Sequence, residues 1–284
     1  MKIEHFFDAE TSTYSYILID DTTSQCAIID PVLNYNQFSG SVSYNSANLL
    51  IDYIKQNKLE LEWILETHPH ADHLTSAQYL KKELGGKVAI GEDITKVLEF
   101  WAPIFGGNFN LDGKDFDKLL KNEEIINIGN LKVKVMKANG HTPACVCYLV
   151  EDVIFVGDVI FQPYVGTART DFAGGSAKDL YNSIQKIFEL NENTKIYVGH
   201  DYPQEGKNPK PFVTIKDEKA LNIMIQENIT EEDFILKRNA KDKGKAVPKL
   251  IFPAIQFNIR AGKFEEESNG KNYIKIPINQ LGAN

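Results

Sequence analysis

The run T-H-P-H-A-D-H at Thr67–His73 constrains this chain more than any other feature of its sequence. Three histidines and one aspartate lie within six residues, His68 to His73. They follow a short apolar run, Trp63–Leu65, and precede a helical pattern. A fold that receives this segment must bring a strand end, a tight polar turn and a helix start to one place. Neutral imidazole and carboxylate are the nitrogen and oxygen ligands of zinc, iron and related metals. Of six histidines, five fall in this run or at two similar strand ends: His141 in N-G-H-T-P and His200 in V-G-H-D-Y. Asp158 sits in F-V-G-D-V, after a further apolar run. Polar residues gathered at strand ends mark where sites form in α/β-type proteins.

The chain around these motifs reads as strands and helices in alternation. Ile3–Phe7, Tyr14–Ile19 and Cys26–Ile29 are apolar runs bounded by turn residues, and predict strands. Leu49–Ile54 predicts a helix, and so does Ser76–Leu84, stopped by Gly85-Gly86. Lys87–Ile90 predicts a strand and Ile94–Trp101 a short helix, with a loop over 103–118. Glu124–Ile128, Leu131–Met136, Val146–Val150 and Val153–Val156 form a second set of strands. The helix Ser176–Leu190, with Leu180, Ile184, Ile187 and Phe188 on one stripe, and the strand Lys195–Val198 follow. Beyond Pro211, two helices are expected, Lys216–Asn228 and Glu231–Lys243, and an irregular tail with scattered short strands from Pro253 to Asn284. The two halves share one plan of strands, helix and strand. Two mixed sheets packed face to face with helices outside satisfy it, with a boundary near residue 210 between a catalytic domain (1–210) and an extension packed on it (211–284).

Charge and composition narrow the function. Lys plus Arg number 31 against 39 Asp plus Glu, a net charge of −8. No basic footprint for nucleic acid is present. The uncharged stretch 31–51 carries Asn34, Asn36, Gln37 and several serines, which are costly in hydrocarbon, so it reads as a polar loop leading into a helix rather than a membrane span. The charged start M-K-I-E-H-F-F-D-A-E leaves no apolar core for a signal peptide. Three cysteines, Cys26, Cys145 and Cys147, cannot close a disulfide framework, and a reducing, cytoplasmic compartment is the expectation.

The pattern H-x-H-x-D-H, then a lone His, a lone Asp and a final His, resembles the metallo-β-lactamase superfamily. The resemblance implies an αββα sandwich with the metal at one edge. In its two-metal members one ion takes residues matching His68, His70 and His141, the other takes Asp72, His73 and His200, and Asp158 bridges. The stretch G-T-A-R-T-D-F-A-G-G at Gly166–Gly175, with the tail motifs Q-F-N-I-R-A-G at Gln256–Gly262 and Y-I-K-I-P-I-N at Tyr273–Asn279, is similar to the persulfide dioxygenase (sulfur dioxygenase) branch. That branch implies one Fe(II) per chain on His68, His141 and Asp158. The expected substrates are a low-molecular-weight thiol persulfide of the glutathione type and dioxygen, giving sulfite and free thiol. It also implies frequent association as dimers. A two-zinc thioester hydrolase of the glyoxalase II type needs the same ligand set and is the competing reading.

Other positions carry two readings each. Arg169 either holds substrate near the metal or pairs with Asp171. Tyr202 either donates a hydrogen bond into the site or is a buried tyrosine with a local partner. Asn258 and Arg260 either touch substrate or pack the extension. Asp30, in I-I-D-P, either orients a metal-site histidine or starts a turn. Cys145 and Cys147, two apart on a strand, share a face and read as buried, inert thiols or as sites of thiol chemistry. The basic stretch Lys237–Lys245 and the acidic run Glu265–Glu267 read as solvated surface.

Overall fold

A computed structural model describes residues 1–264 and 270–281. The first half runs β1 (Lys2–Asp8), β2 (Thr13–Ile19), β3 (Gln25–Ile29), β4 (Val32–Asn36), β5 (Ser41–Ser43), α1 (Asn45–Gln56), β6 (Glu60–Leu65), β7 (Leu74–Thr75), α2 (Ala77–Leu84), β8 (Lys87–Gly91), α3 (Ile94–Phe105) and β9 (Lys118–Leu120). The second half runs β10 (Ile125–Ile128), β11 (Leu131–Lys137), β12 (Val146–Val150), β13 (Val153–Gly157), α4 (Ala177–Phe188), β14 (Lys195–Val198) and β15 (Phe212–Thr214). Three helices follow: α5 (Ile215–Leu221), α6 (Glu231–Asp242) and α7 (Ile251–Asn258). No helix among the described residues is long and apolar enough to cross a membrane.

Two six-stranded mixed sheets, β1-β2-β3-β6-β8-β9 and β10-β11-β12-β13-β14-β15, form the sandwich. β3, β6, β8 and β9 run parallel, as do β13 and β14, and helices make the long crossovers that parallel neighbours require. Every residue of β2 is buried. Its alternation sorts them: Tyr14, Tyr16 and Leu18 join the cluster that fills the space between the sheets. Ile17 and Ile19 face the outer layer with Leu50, Ile51 and Ile54 of α1. A strand covered on both faces reads as an unbroken apolar run, which is why this one is plain in the sequence. α4 buries Leu180, Ile184 and Ile187 against the second sheet, and Ser176 caps it by accepting the Asp179 N–H at 3.1 Å.

The structure departs from the sequence-based expectations in four places. The polar stretch after Pro31 is a hairpin, β4–β5, and β4 also pairs with β7 in a small third sheet. Its turn is closed by Asn36, whose side chain accepts the Phe38 and Ser39 N–H groups at 3.0 Å, so polar residues build the strand ends and mask the pattern. The second sheet continues to Thr214 through β15, past the expected boundary near residue 210. α5 ends at Leu221 because Asn222 turns its Oδ1 onto the Met224 and Ile225 N–H groups. Ile251–Asn258 is a helix, with Pro253 tolerated in its first turn, and no named strand follows β15 among the described residues. The Glu265–Glu267 run lies outside the described residues.

Candidate metal centre

All seven metal-type side chains meet at one edge of the sandwich. His68, His70, Asp72 and His73 sit between β6 and β7, His141 between β11 and β12, Asp158 directly after β13 and His200 directly after β14. Two glycines are required by this convergence. Gly157 has φ +51°, and a Cβ there would stand 2.2 Å from Thr67 Oγ1, so only glycine lets β13 deliver Asp158 beside the His68 loop. Gly140 has φ +140°, and its Cβ would meet the backbone of Leu180 at 2.4 Å, so α4 packs directly beneath the His141 loop.

Two triads of donor atoms result, each within 4.8 Å: His68, His141 and Asp158, and His70, Asp72 and His73. Asp158 reaches both sides. Its Oδ2 lies 3.9 Å from His68 Nε2 and 3.8 Å from His141 Nε2, and its Oδ1 lies 3.3 Å from His200 Nε2. His200 Nε2 is in turn 3.4 Å from Asp72 Oδ2.

Each histidine is tied at one ring nitrogen and presents the other to the centre. His141 Nδ1 donates to the Arg169 carbonyl at 2.8 Å. His200 Nδ1 lies 3.2 Å from the Ser12 carbonyl, and His73 Nδ1 3.2 Å from that of Leu74. Thr67 Oγ1 donates to Asp30 Oδ2 at 2.7 Å, so it accepts from His68 Nδ1 at 3.0 Å. His70 Nε2 lies 3.1 Å from Asp30 Oδ1. Burial alone would push His70 down, but the Asp30 carboxylate outweighs it and holds the ring up at about 9, so the ring is cationic at neutral pH and its Nδ1 must give up a proton to take a metal ion. Such ties fix the tautomer and aim the other lone pair. His68 Nε2, His73 Nε2, His200 Nε2, Asp72 Oδ2 and Asp158 Oδ1 are all buried without a hydrogen-bond partner. Lone pairs brought together unpaired in a buried site are costly unless a cation accepts them. The donor set therefore fits a metal ion, and suits zinc or iron by ligand type. Burial and the neighbouring His70 hold His68 well below the usual imidazole range and push His73 down to about 4, so both are neutral, as ligands must be.

The other candidate residues stand around these donors. Asp30 lies within the centre's hydrogen-bond network and orients His70 and, through Thr67, His68. The Arg169 guanidinium is committed: it forks onto Asp171 with two bonds of 2.7 Å, donates to the Ala246 carbonyl at 2.9 Å and stacks on Phe172. Tyr202 is half-exposed, its ring parallel to that of His200 with centroids 6.0 Å apart. Asn258 does not face an opening. It accepts the Thr75 N–H at 2.9 Å and donates to the His70 and His73 carbonyls at 2.8 Å, so it clasps the metal loop. Arg260 donates to the Asn108 carbonyl and lies over the Phe109 ring, also as packing of the extension. Both residues thus pack the extension against the first half of the chain, Asn258 on the metal loop and Arg260 on the Asn108–Phe109 segment. Cys145 and Cys147 are both buried, and burial pushes the Cys145 thiol up to about 12, far from thiolate at neutral pH.

Two cavities adjoin the donors and share Asp72, Tyr202 and Pro248. One, about 370 Å³, is lined by His141, Asp158, Phe161, Arg169, Phe172, Lys241 and Lys245. The other, about 530 Å³, is lined by Asp8, Glu10, Tyr35, Phe38, His73 and Lys249. Lys241 and Lys245 belong to the basic stretch read as solvated surface, and only the packing of α6 beside the Gly166–Gly175 segment brings them here. Glu66 was also not singled out. It is buried, takes the Thr75 hydroxyl, and is pushed up to about 8 by burial and by Asp30. Its place directly before T-H-P-H was the available signal.

The metallo-beta-lactamase superfamily profile matches residues 10–200. The chain is 48% identical to "Glyoxylase B2" of Dictyostelium discoideum over 99% of this chain and 98% of that protein. It is 30% identical to the mitochondrial persulfide dioxygenase ETHE1 of Mus musculus, over 92% of this chain and 88% of that one. The crystal structure of ETHE1 from Myxococcus xanthus superposes with a TM-score of 0.74 at 28% identity, covering 93% of this chain and all of that chain. With every ligand position of the H-x-H-x-D-H pattern filled and the donors gathered at one edge of two packed sheets, the chain belongs to the metallo-beta-lactamase superfamily as one of its metal-binding enzymes, with its likeness to persulfide dioxygenases marking the branch.

Proposed function

We propose that the chain is a non-haem Fe(II) persulfide dioxygenase, with His68, His141 and Asp158 holding one iron. Two histidines and one carboxylate form a facial set that leaves positions open for substrate and dioxygen. One observation carries this reading. The Gly166–Gly175 segment, whose sequence resembles the persulfide dioxygenase branch, both ties His141 through the Arg169 carbonyl and walls the 370 Å³ cavity that opens on His141 and Asp158. When bound, iron supplies the redox chemistry by which one persulfide, one dioxygen and one water become one sulfite, one thiol and two protons. The chain's own residues orient and shelter. Thr67 and Arg169 hold His68 and His141 in the ligating tautomer. Phe161 and Phe172 keep the cavity apolar beside the donors, and Lys241 and Lys245 give it a cationic wall suited to a carboxylate-bearing carrier thiol. Arg169, bound by Asp171, acts through its carbonyl and the shape of the wall. Three buried, unpaired cysteines suit a reducing, cytoplasmic setting.

A second reading, a two-metal thioester hydrolase, is favoured by the reach of Asp158 to His200 and by the likeness to a protein named a glyoxylase. Metal analysis with paired assays separates them. Protein from iron-replete cells is expected to carry close to one iron and to consume oxygen with glutathione persulfide. Two tightly held zinc ions and hydrolysis of a glutathione thioester, without oxygen uptake, would overturn the dioxygenase.

A further inference from the structure

Helix α6 contributes no donor to the centre, yet it carries Arg238, the largest fully buried side chain among the described residues. Arg238 Nε donates to Asp242 Oδ2 at 2.9 Å, and its Nη2 pairs with Oδ1 one helical turn on. Both partners also reach across to one short segment. Arg238 Nη1 donates to the Thr167 carbonyl at 2.9 Å, and Asp242 Oδ2 accepts the Thr170 N–H at 2.9 Å. The four residues Thr167–Thr170 are thus gripped at both ends by one charged pair. Between the grips stands Arg169, whose carbonyl accepts the His141 Nδ1 proton. On its other side the segment runs beside the strand end that carries Asp158: Thr167 bridges Ile160, and Phe161 N–H donates to the Gly166 carbonyl at 2.9 Å.

Stability alone does not account for the pair. A buried ion pair is repaid only by good geometry, and apolar residues of similar size often serve a helix as well or better. Here each charge bonds backbone of the Thr167–Thr170 segment, with Lys245 Nζ also 3.3 Å from Asp242 Oδ1, and the two backbone bonds fix where the Arg169 carbonyl stands. We propose that Arg238 and Asp242 are positioning residues for His141. The pair sets the height of the Arg169 carbonyl, and so the direction in which His141 Nε2 meets the metal. This rests on the metal centre but is indifferent to whether iron or zinc occupies it.

The test uses the full chain loaded with Co(II), whose visible spectrum reports ligand geometry, with affinity read by chelator competition and stability by melting of the metal-free protein. Asp242→Asn and Arg238→Met are expected to weaken Co(II) binding by about 10- to 100-fold, the loss typical of residues that orient ligands, and to change the spectrum. Arg238→Lys keeps the charge but not the fork to Asp242 together with the Nη1 bond to Thr167, and recovers part of the affinity. Phe234→Leu is the control. Phe234 is buried on the same helix against the Tyr181 ring and has no polar atom to bond the Thr167–Thr170 backbone, so its truncation is expected to lower the melting temperature while leaving affinity and spectrum unchanged. The double variant Arg238→Met/Asp242→Leu guards against simple unfolding: it is expected to melt near the parent and still bind Co(II) weakly. Parent-like affinity and spectrum in that folded double variant would overturn the inference, as would a Phe234→Leu loss equal to that of Asp242→Asn. A parent chain that binds no Co(II) would remove the metal centre and the inference together.

Discussion

The sandwich and the segment after β15 contribute to the metal centre in opposite ways. Every donor, from His68 to His200, comes from strand ends of the two sheets. The segment after β15 supplies no donor, but Asn258 clasps the His70–His73 loop, the Arg238–Asp242 pair grips the Arg169 segment, and Lys241 and Lys245 line a cavity. The sheets bring ligands together because converging strand ends leave polar side chains unpaired at one edge. The later helices then take up the backbone groups of the connecting loops, which no sheet can pair. Ligand identity and ligand aim thus belong to different parts of the chain, and separate substitutions reach each.

The sharpest break in that division is Asp158→Ala. It removes a carboxylate that reaches both halves of the centre, and metal affinity should fall by more than the roughly 10- to 100-fold characteristic of orienting residues. Elemental analysis after gel filtration checks this. His73→Ala, measured alongside, should retain most of a single iron. A two-metal centre would instead surrender one of its two equivalents.

Asn258→Ala probes the other side of the comparison. It strips the Thr75 N–H and two carbonyls of their partner in a buried place, a cost of about 2–4 kcal/mol in thermal or denaturant unfolding. Metal affinity should fall with it, though less than for Asp158→Ala. If Asn258→Ala melts like the parent and keeps its metal, the later helices do not brace the metal loop.

Glu218 in α5 sharpens the contrast from a distance. Burial raises its carboxyl to about 8, above the ordinary carboxylate range, against an opposing hydrogen bond from Asn222. A carboxyl raised in the folded state favours folding below its unfolded pKa, and that contribution disappears as pH climbs through about 8. Glu218→Gln should therefore flatten the decline in stability between about pH 5 and 9, by up to a few kcal/mol at the alkaline end. Metal content should change little, since Glu218 reaches the Gly166–Gly175 segment only through Asn222, which donates to the Gly166 carbonyl. Melting curves across that range test it.

What the sequence disclosed follows the same division. Donors are legible because histidine is rare and each motif follows within a few residues of a strand, so H-x-H-x-D-H, G-H-T and G-H-D announce both the residue and its place. β2 and β13 are readable because burial on both faces makes each an unbroken apolar run, and α4 because burial of one face imposes a helical period. The supports are not legible in this way. Asn258 clasps carbonyls far away in the chain, and an asparagine on a short apolar helix looks like any surface residue until α7 docks. Arg238 and Asp242 stand at i and i+4 on a charged helix, the spacing of an ordinary solvated pair, and their burial is decided by how α6 meets the Arg169 segment. The β4–β5 hairpin escaped for a different reason: its register is held by Asn36 and by β7, a two-residue strand too short to leave a pattern.

One contact described above bears on how this molecule assembles in time. The His200 ring is anchored to Ser12 and Thr13, and the Tyr14 N–H donates to the Gly199 carbonyl at 2.8 Å, so the last donor is completed by a strand from the very start of the chain. Closing a loop on that scale costs about 4–5 kcal/mol of chain entropy, due before the contact returns anything. Such a contact forms late on the folding route. A metal ion has no finished cradle to seize on the way in, so it acts as a latch on the way out: it slows unfolding and leaves the folding rate nearly untouched.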